Sequence, residues 1–163
     1  MGRADPNFYR FRTCWELAAP ADGVFAVLED PLDYPRWWPE IRAARPVGDL
    51  QCEVACRSFL PIELRFVITH ARRDPDLGVL EATMTGDLEG FSRWTVGGTP
   101  VGTRVVFEEE VVATKAVLRR FAPVGRPIFR ANHTLMMRHG GAGLRARMAE
   151  RQPTVDSRRS DTG

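Results

Sequence analysis

The sequence predicts an α+β fold: one curved antiparallel sheet covered by a long C-terminal helix. Three observations carry that prediction. Apolar and polar residues alternate over "FYRFRTCWEL" and again, with short interruptions, from Ile41 to Ala113, the period of half-buried strands. The links between the later strands are a few residues long, whereas parallel strands need crossovers of about a dozen or more. Helical spacing then returns, with a helix from about Pro127 to Met148; roughly 22 residues at about 1.5 Å each would cross a whole sheet.

Each element follows from its own residues. In the first strand Tyr9, Phe11, Thr13, Trp15 and Leu17 share one face, against Arg10, Arg12, Cys14 and Glu16. In "APADGVFAVLEDP" Pro20 stands near a helix start, Asp22 falls in the first turn, and Val24, Phe25, Val27 and Leu28 form the apolar stripe. Pro31 ends that helix. "DYPRWWPE" has room only for a short helical turn, boxed by Pro35 and Pro39. Six strands are then expected at 41–47, 51–60, 62–73, 77–85, 90–96 and 103–113, joined through Val47-Gly48-Asp49, Pro61, "DPDLG", "GDLEG" and "GGTPVG". "TKAVLRRFAPVGRP" reads as a short helix broken between Pro123 and Pro127, ahead of the long one. The boundaries that follow are an N-terminal extension over 1–7, one domain over 8–150, and a loose tail over 151–163 with no apolar residue after Val155.

Composition narrows the function. A chain of 163 residues has one core, and its 44% hydrophobic and 27% charged residues are those of a soluble globular domain. Lys plus Arg exceed Asp plus Glu by only 23 to 21, too little to point to nucleic acid. No stretch approaches the ~18 apolar residues of a membrane span. "MGRADPNFYRFR" lacks a signal-peptide core, so a cytoplasmic location is expected. Three cysteines imply no disulfide framework. Cys52 and Cys56 lie on an expected strand, four steps of about 3.3 Å apart, too distant to share a zinc ion. No metal and no cofactor is expected. "GGTPVGT" has phosphate-loop glycines but no lysine and no following helix, and "GGAG" at Gly140 to Gly143 sits in the terminal helix, where glycine permits close packing.

Four stretches, "WELAAPADGVFAVLEDPLDYPRWWPEI", "GFSRWTV", "GTRVVFEEEV" and "ANHTLMMRHGGAGLRARM", together resemble the START-related, Bet v 1-like (SRPBCC) superfamily, in its bacterial polyketide cyclase/dehydrase branch. The resemblance covers about residues 8–149 and implies a helix-grip: a seven-stranded sheet wrapped around the terminal helix and enclosing an apolar cavity, with two short helices near its mouth. It also implies binding of a hydrophobic small molecule, aromatic or polycyclic, and a cyclase or dehydratase role by resemblance alone. A non-catalytic lipid or metabolite carrier or sensor, and a protein-interaction module, are the alternatives. A homodimer is compatible with the sequence.

Strand alternation selects the residues able to face such a cavity. The third strand offers Val54, Cys56 and Ser58; the fourth, Leu64, Phe66 and Ile68; the fifth, Met84. Trp94 and Phe107 follow from the sixth and seventh. On the long helix the spacing selects Ile128, Asn132 and Leu135, with Ala131 and His139 on the same row. Glu109, a carboxylate on an otherwise apolar face, is the candidate catalytic base; a wet strand end or an arginine partner is the alternative. Asn132 would hydrogen-bond a ligand carbonyl or a neighbouring backbone group, and its neighbour His133 is expected to point elsewhere. His70, placed at its strand's end, is expected to be exposed. Adjacent residues of a helical turn point about 100° apart. Either Trp37 packs inward while Trp38 leans over the cavity mouth and contacts the ligand, or both rings cement the helices to the sheet.

Overall fold

The computed structural model describes residues 5–152, Pro123 by its backbone alone. Most of the expected tail and the first four residues of the expected extension lie outside the described residues. The chain runs through β1 (Phe8–Leu17), α1 (Ala21–Leu28), a 3₁₀ turn (Pro31–Asp33), α2 (Tyr34–Trp37), β2 (Ile41–Gly48), β3 (Gln51–Cys56), β4 (Leu64–Asp74), β5 (Val79–Gly86), β6 (Leu88–Thr99), β7 (Gly102–Ala113) and α3 (Ala116–Arg151). The seven strands form one sheet in the order β1-β7-β6-β5-β4-β3-β2, and every neighbouring pair is antiparallel. Only β1 departs from sequence order. The short helices therefore carry the chain from one edge of the sheet to the other.

The two faces of the sheet divide as the alternation requires. The outer face carries cross-strand ion pairs such as Arg10–Glu110 at 2.7 Å, Arg104–Glu16 at 2.6 Å and Arg93–Glu81 at 2.8 Å. Exposed pairs of this kind contribute little each, but they keep that face in water. The inner face buries Tyr9, Trp15, Trp94, Val105, Phe107 and Val111, and α3 is its cover.

Three expectations are corrected here. The break between Pro123 and Pro127 is absent, and α3 is one helix from Ala116 to Arg151. Each proline forfeits a backbone hydrogen bond, yet buried Leu118 and Ala122 on one side of the break and core-packed Phe129 on the other hold the axis in line. Strand β3 stops at Cys56 instead of residue 60, because the chain leaves the ladder and rises toward α3. There the Leu60 N–H donates to Asn132 Oδ1 at 3.3 Å. Strand β4 runs to Asp74, close to its expected bound, past a register shift between His70 and Arg72, the mark of a bulge, so His70 lies inside the strand and not at its end.

The tryptophan pair and the glycine run meet. A Cβ at Gly140 would lie 2.6 Å from Cε2 of Trp38, one at Gly141 2.9 Å from Nε1 of Trp15, and one at Gly143 would collide with the carbonyl oxygen of Trp37. The glycines form a notch in α3 that seats the aromatic cluster. Trp38 Nε1 donates to the Met136 carbonyl oxygen at 2.9 Å, and Arg147 Nη2 donates to Asp33 Oδ2 at 2.9 Å. Within the cluster the Trp37 and Trp38 rings stack at 5.5 Å, and Trp15 meets Trp94 at 5.2 Å.

Gly143→Ala is expected to lose about 1–3 kcal/mol through overpacking, although alanine is the better helix former by about 1 kcal/mol. Ala142→Gly, at an exposed neighbour, should lose only about the propensity difference. Urea unfolding of both variants checks this. A Gly143→Ala protein as stable as the wild type would mean the notch is not a seat.

Candidate functional site

The inner face of the sheet carries two cavities, of about 100 Å³ and about 90 Å³, the first of them beneath α3. The first lies between β1, β7, the β3–β4 loop and α3. Of the residues expected at a site, Cys56, Ser58, Leu64, Phe66, Glu109 and Asn132 line it. The second lies under α1 and α2, and Trp38, Val54, Ile68, Met84, Trp94 and Phe107 line it together with Phe66. His70, expected to be exposed, is half-buried and also lines the second cavity, because β4 runs on past it.

The helix is phased differently from expectation. Phe129, Asn132, His133 and Met136 face the first cavity, a stripe at i, i+3, i+4 and i+7. Ile128 is 49% exposed and lines neither cavity. Ala131 and His139 are exposed as well, and Leu135 is half-buried away from both cavities. A row counted from Ile128 sits one residue, about 100°, off the inward stripe. Asn132 is the member common to both rows.

Glu109 is buried, only 6% exposed. Its partner is neither bulk water nor an arginine: Oε2 lies 3.0 Å from His133 Nε2. The imidazole is stacked on Phe11, ring centroids 3.7 Å apart and planes within 11°, which fixes its tilt toward Glu109. The result is one carboxyl and one imidazole within hydrogen-bond distance of each other in a largely apolar wall. Such a pair supplies both a proton acceptor and a proton donor. His133 is the functional candidate that the expected row excluded. The overlooked signal was the cavity's width, since it receives the neighbouring residues Asn132 and His133 together.

Other polar groups complete the wall. Ser58 Oγ and Tyr9 Oη are buried without a hydrogen-bond partner among the described residues, and both residues line the first cavity. A buried hydroxyl left unpaired costs free energy, so both are primed to donate to or accept from a bound molecule. Burial raises the Tyr9 phenol above its ordinary range, against the pull of Arg126 and Arg130, and it stays a neutral donor. Asn132 spends its oxygen on the Leu60 N–H and has its NH2 group to offer. Burial first, and the Glu109 carboxylate second, push the Cys56 thiol up to about 12. Cys56 is therefore a packing group rather than a nucleophile. Cys52 is buried too, on the same strand, while Cys14 is exposed. Among the described residues no group of three or more His, Cys, Asp or Glu could hold a metal ion.

Trp38 is only 3% exposed. It forms a wall of the second cavity, and its indole N–H is engaged by α3. Trp37 lines neither cavity.

Residues 10–149 match the family model described as polyketide cyclase / dehydrase and lipid transport. Among solved structures the chain is similar to the Zhui aromatase/cyclase from a Streptomyces species, at 15% identity over 92% of this chain and 99% of that one, with a TM-score of 0.74. It is similar to a protein from Thermus thermophilus at 15% identity, covering 89% and 99% of the two chains with a TM-score of 0.72. It is also similar to a START superfamily protein from Mycobacterium smegmatis at 16% identity, 89% and 99% coverage, and a TM-score of 0.66. At such identities the likeness establishes the fold. No protein with a curated description matches the sequence.

In the native protein Cys14 should react at once with a thiol reagent at mildly alkaline pH, while Cys52 and Cys56 react only on unfolding. The thiol of Cys56 also predicts a pH dependence. Between its ordinary value of 9.0 and about 12 the unfolded chain loses a proton that the native chain keeps, so stability falls as pH rises through that window. Thermal unfolding of Cys56→Ala should show a shallower alkaline decline. Native-state modification of Cys56 as fast as that of Cys14 would contradict this.

Proposed function

The chain belongs to the polyketide cyclase / dehydrase and lipid transport family, and on that premise we propose that it binds a hydrophobic, aromatic or polycyclic small molecule beneath α3. Glu109 and His133 meet that molecule's polar edge. The observation that carries the reading is the Glu109–His133 pair at 3.0 Å, set in a wall of apolar side chains, with two buried hydroxyls in the same cavity that have no partner among the described residues. A cavity shaped for apolar packing alone would have no reason to keep them, since each costs desolvation free energy.

The groups fit one class of chemistry. The Ser58 and Tyr9 hydroxyls can donate to a ligand carbonyl oxygen. Glu109, backed by His133, can take the proton from the carbon next to that carbonyl. The conjugate acid of the pair can return a proton to a hydroxyl on the following carbon, which leaves as water while a C=C bond forms. This is proton abstraction α to a carbonyl followed by dehydration, and much of its acceleration would come from holding the ligand in one orientation. A carrier without turnover is the second reading, favoured by the fact that Glu109 and His133 satisfy each other without a ligand.

Titration with 1,8-dihydroxyanthraquinone, read by tryptophan fluorescence, tests the proposal. Wild type should bind with a change in emission. Trp38→Ala should weaken binding by roughly 1–3 kcal/mol through lost aromatic contact, and Trp37→Ala should lower stability with a smaller effect on affinity. Glu109→Gln keeps the shape and removes the charge. An enzyme should retain affinity for that variant and lose turnover of a β-hydroxyketone, whereas a carrier shows no turnover in either protein. Absence of binding in the wild type would refute the proposal; equal affinity in Trp38→Ala would mean that the tryptophan pair is only cement and that the ligand does not reach the second cavity.

A further inference from the structure

We propose that Phe66 is a movable partition between two lengths of one trench, and that it sets the length of ligand the protein accepts. The inference rests on the ligand-binding reading above and adds a specificity-determining residue and an elongated ligand to it.

The ladder shows that the two cavities are consecutive. Along β3 and β4 the facing pairs are Cys56 with Leu64, then Val54 with Phe66, then Cys52 with Ile68. Cys56 and Leu64 line the first cavity, Val54 and Ile68 the second, and Phe66 lines both. Two-residue steps stay on one face of a sheet, so this is a single furrow read from one end to the other. β7 repeats the order: Val111 and Glu109 face the first cavity and Phe107 the second. Neither cavity alone, at about 100 Å³ and about 90 Å³, reaches the ~300 Å³ at which ordinary ligand sites begin. Joining them, with the space the phenyl ring vacates, lengthens the site toward that range.

Phe66 is buried, yet it lacks the ring partners that hold its aromatic neighbours. Its partner across β5 is Gly86, whose φ of +123° favours glycine, so no side chain there braces the ring. A Cβ at Gly86 would lie 2.8 Å from the Arg65 carbonyl oxygen and 3.0 Å from the Phe66 Cα, so the glycine lets the two backbones approach and leaves no side chain against the ring. The aromatics of the second cavity form a chain of ring contacts, Trp38 with Trp94 at 6.3 Å and Trp94 with Phe107 at 4.4 Å. Among the described residues Phe66 is in none of these contacts.

The partition also places the polar pair. Glu109 is paired across β6 with Ser92, which faces the second cavity, so Glu109 and His133 stand near the middle of the joined trench. Exposed Arg57 stands at the rim of the first cavity. An elongated ligand would put an anionic end at Arg57, an internal carbon at Glu109–His133, and its apolar end against Trp38.

Octanoate, dodecanoate and hexadecanoate supply a graded probe, measured by calorimetry against wild type and Phe66→Ala, with Phe66→Leu as a milder truncation, expected to shift the same way by less, should Phe66→Ala fold poorly. Phe66→Ala should bind hexadecanoate tighter by about tenfold or more, because further methylenes are buried, with octanoate unchanged. Phe66→Trp should weaken hexadecanoate selectively. Equal changes for octanoate and hexadecanoate, or none for either, would overturn the partition while leaving the binding reading intact. Failure of every probe with every protein would count against both. A crystal structure of Phe66→Ala gives an independent arm: one continuous cavity supports the proposal, and two separate ones refute it.

Discussion

Three helix glycines hold three tryptophans, and the position of the rest of the site depends on that contact. Without side chains at Gly140, Gly141 and Gly143, α3 lies directly on Trp38, Trp15 and the backbone of Trp37. Glycine inside a helix costs roughly 1 kcal/mol each. The cost is offset by three large aromatic rings buried in one cluster. A helix seated at its C-terminal half in this way has its rotation fixed. Its N-terminal half must then present Phe129, Asn132, His133 and Met136 to the sheet.

That phasing brings His133 to Glu109. Neither group belongs in an apolar wall by itself, and each makes the other tolerable, since a buried carboxyl or imidazole without a partner would be strongly penalised. The pair then retains what a surface pair lacks. It is shielded from bulk water, oriented by the stack on Phe11, and flanked by hydroxyls with no partner of their own among the described residues. The sheet contributes a rigid half of the site and the helix the other half. The β3–β4 loop, tied to Asn132 by its Leu60 N–H, closes the side between them.

The strands were legible because alternation survives in each of them, and the short links left antiparallel pairing as the only topology. The glycine run was legible as a place of close packing, but its partner in "DYPRWWPE" was not, because nothing local links residues about a hundred positions apart. Pro123 and Pro127 pointed to a break, and tertiary packing overrode that local cost. Strand alternation selects Ser58 although it lies on a loop, so its place at the cavity comes from the Leu60–Asn132 tether and not from the pleat. Glu109 stood out as a charge in an apolar row. His133 did not, because helical spacing started from Ile128 is out of phase, and only the notch on α3 sets the true phase.

The central claim is that the trench beneath α3, with Glu109 and His133 in its wall, is where a small molecule binds. Backbone amide NMR of the labelled protein during titration with a hydroxylated anthraquinone tests it most directly. The account predicts shift changes concentrated in the β3–β4 loop from Arg57 to Ile62, in β7 around Glu109 and Val111, and in α3 from Phe129 to Met136. Changes confined to the charged outer face, at Arg10, Arg12, Glu108 and Glu110, with the trench amides unmoved, would contradict it.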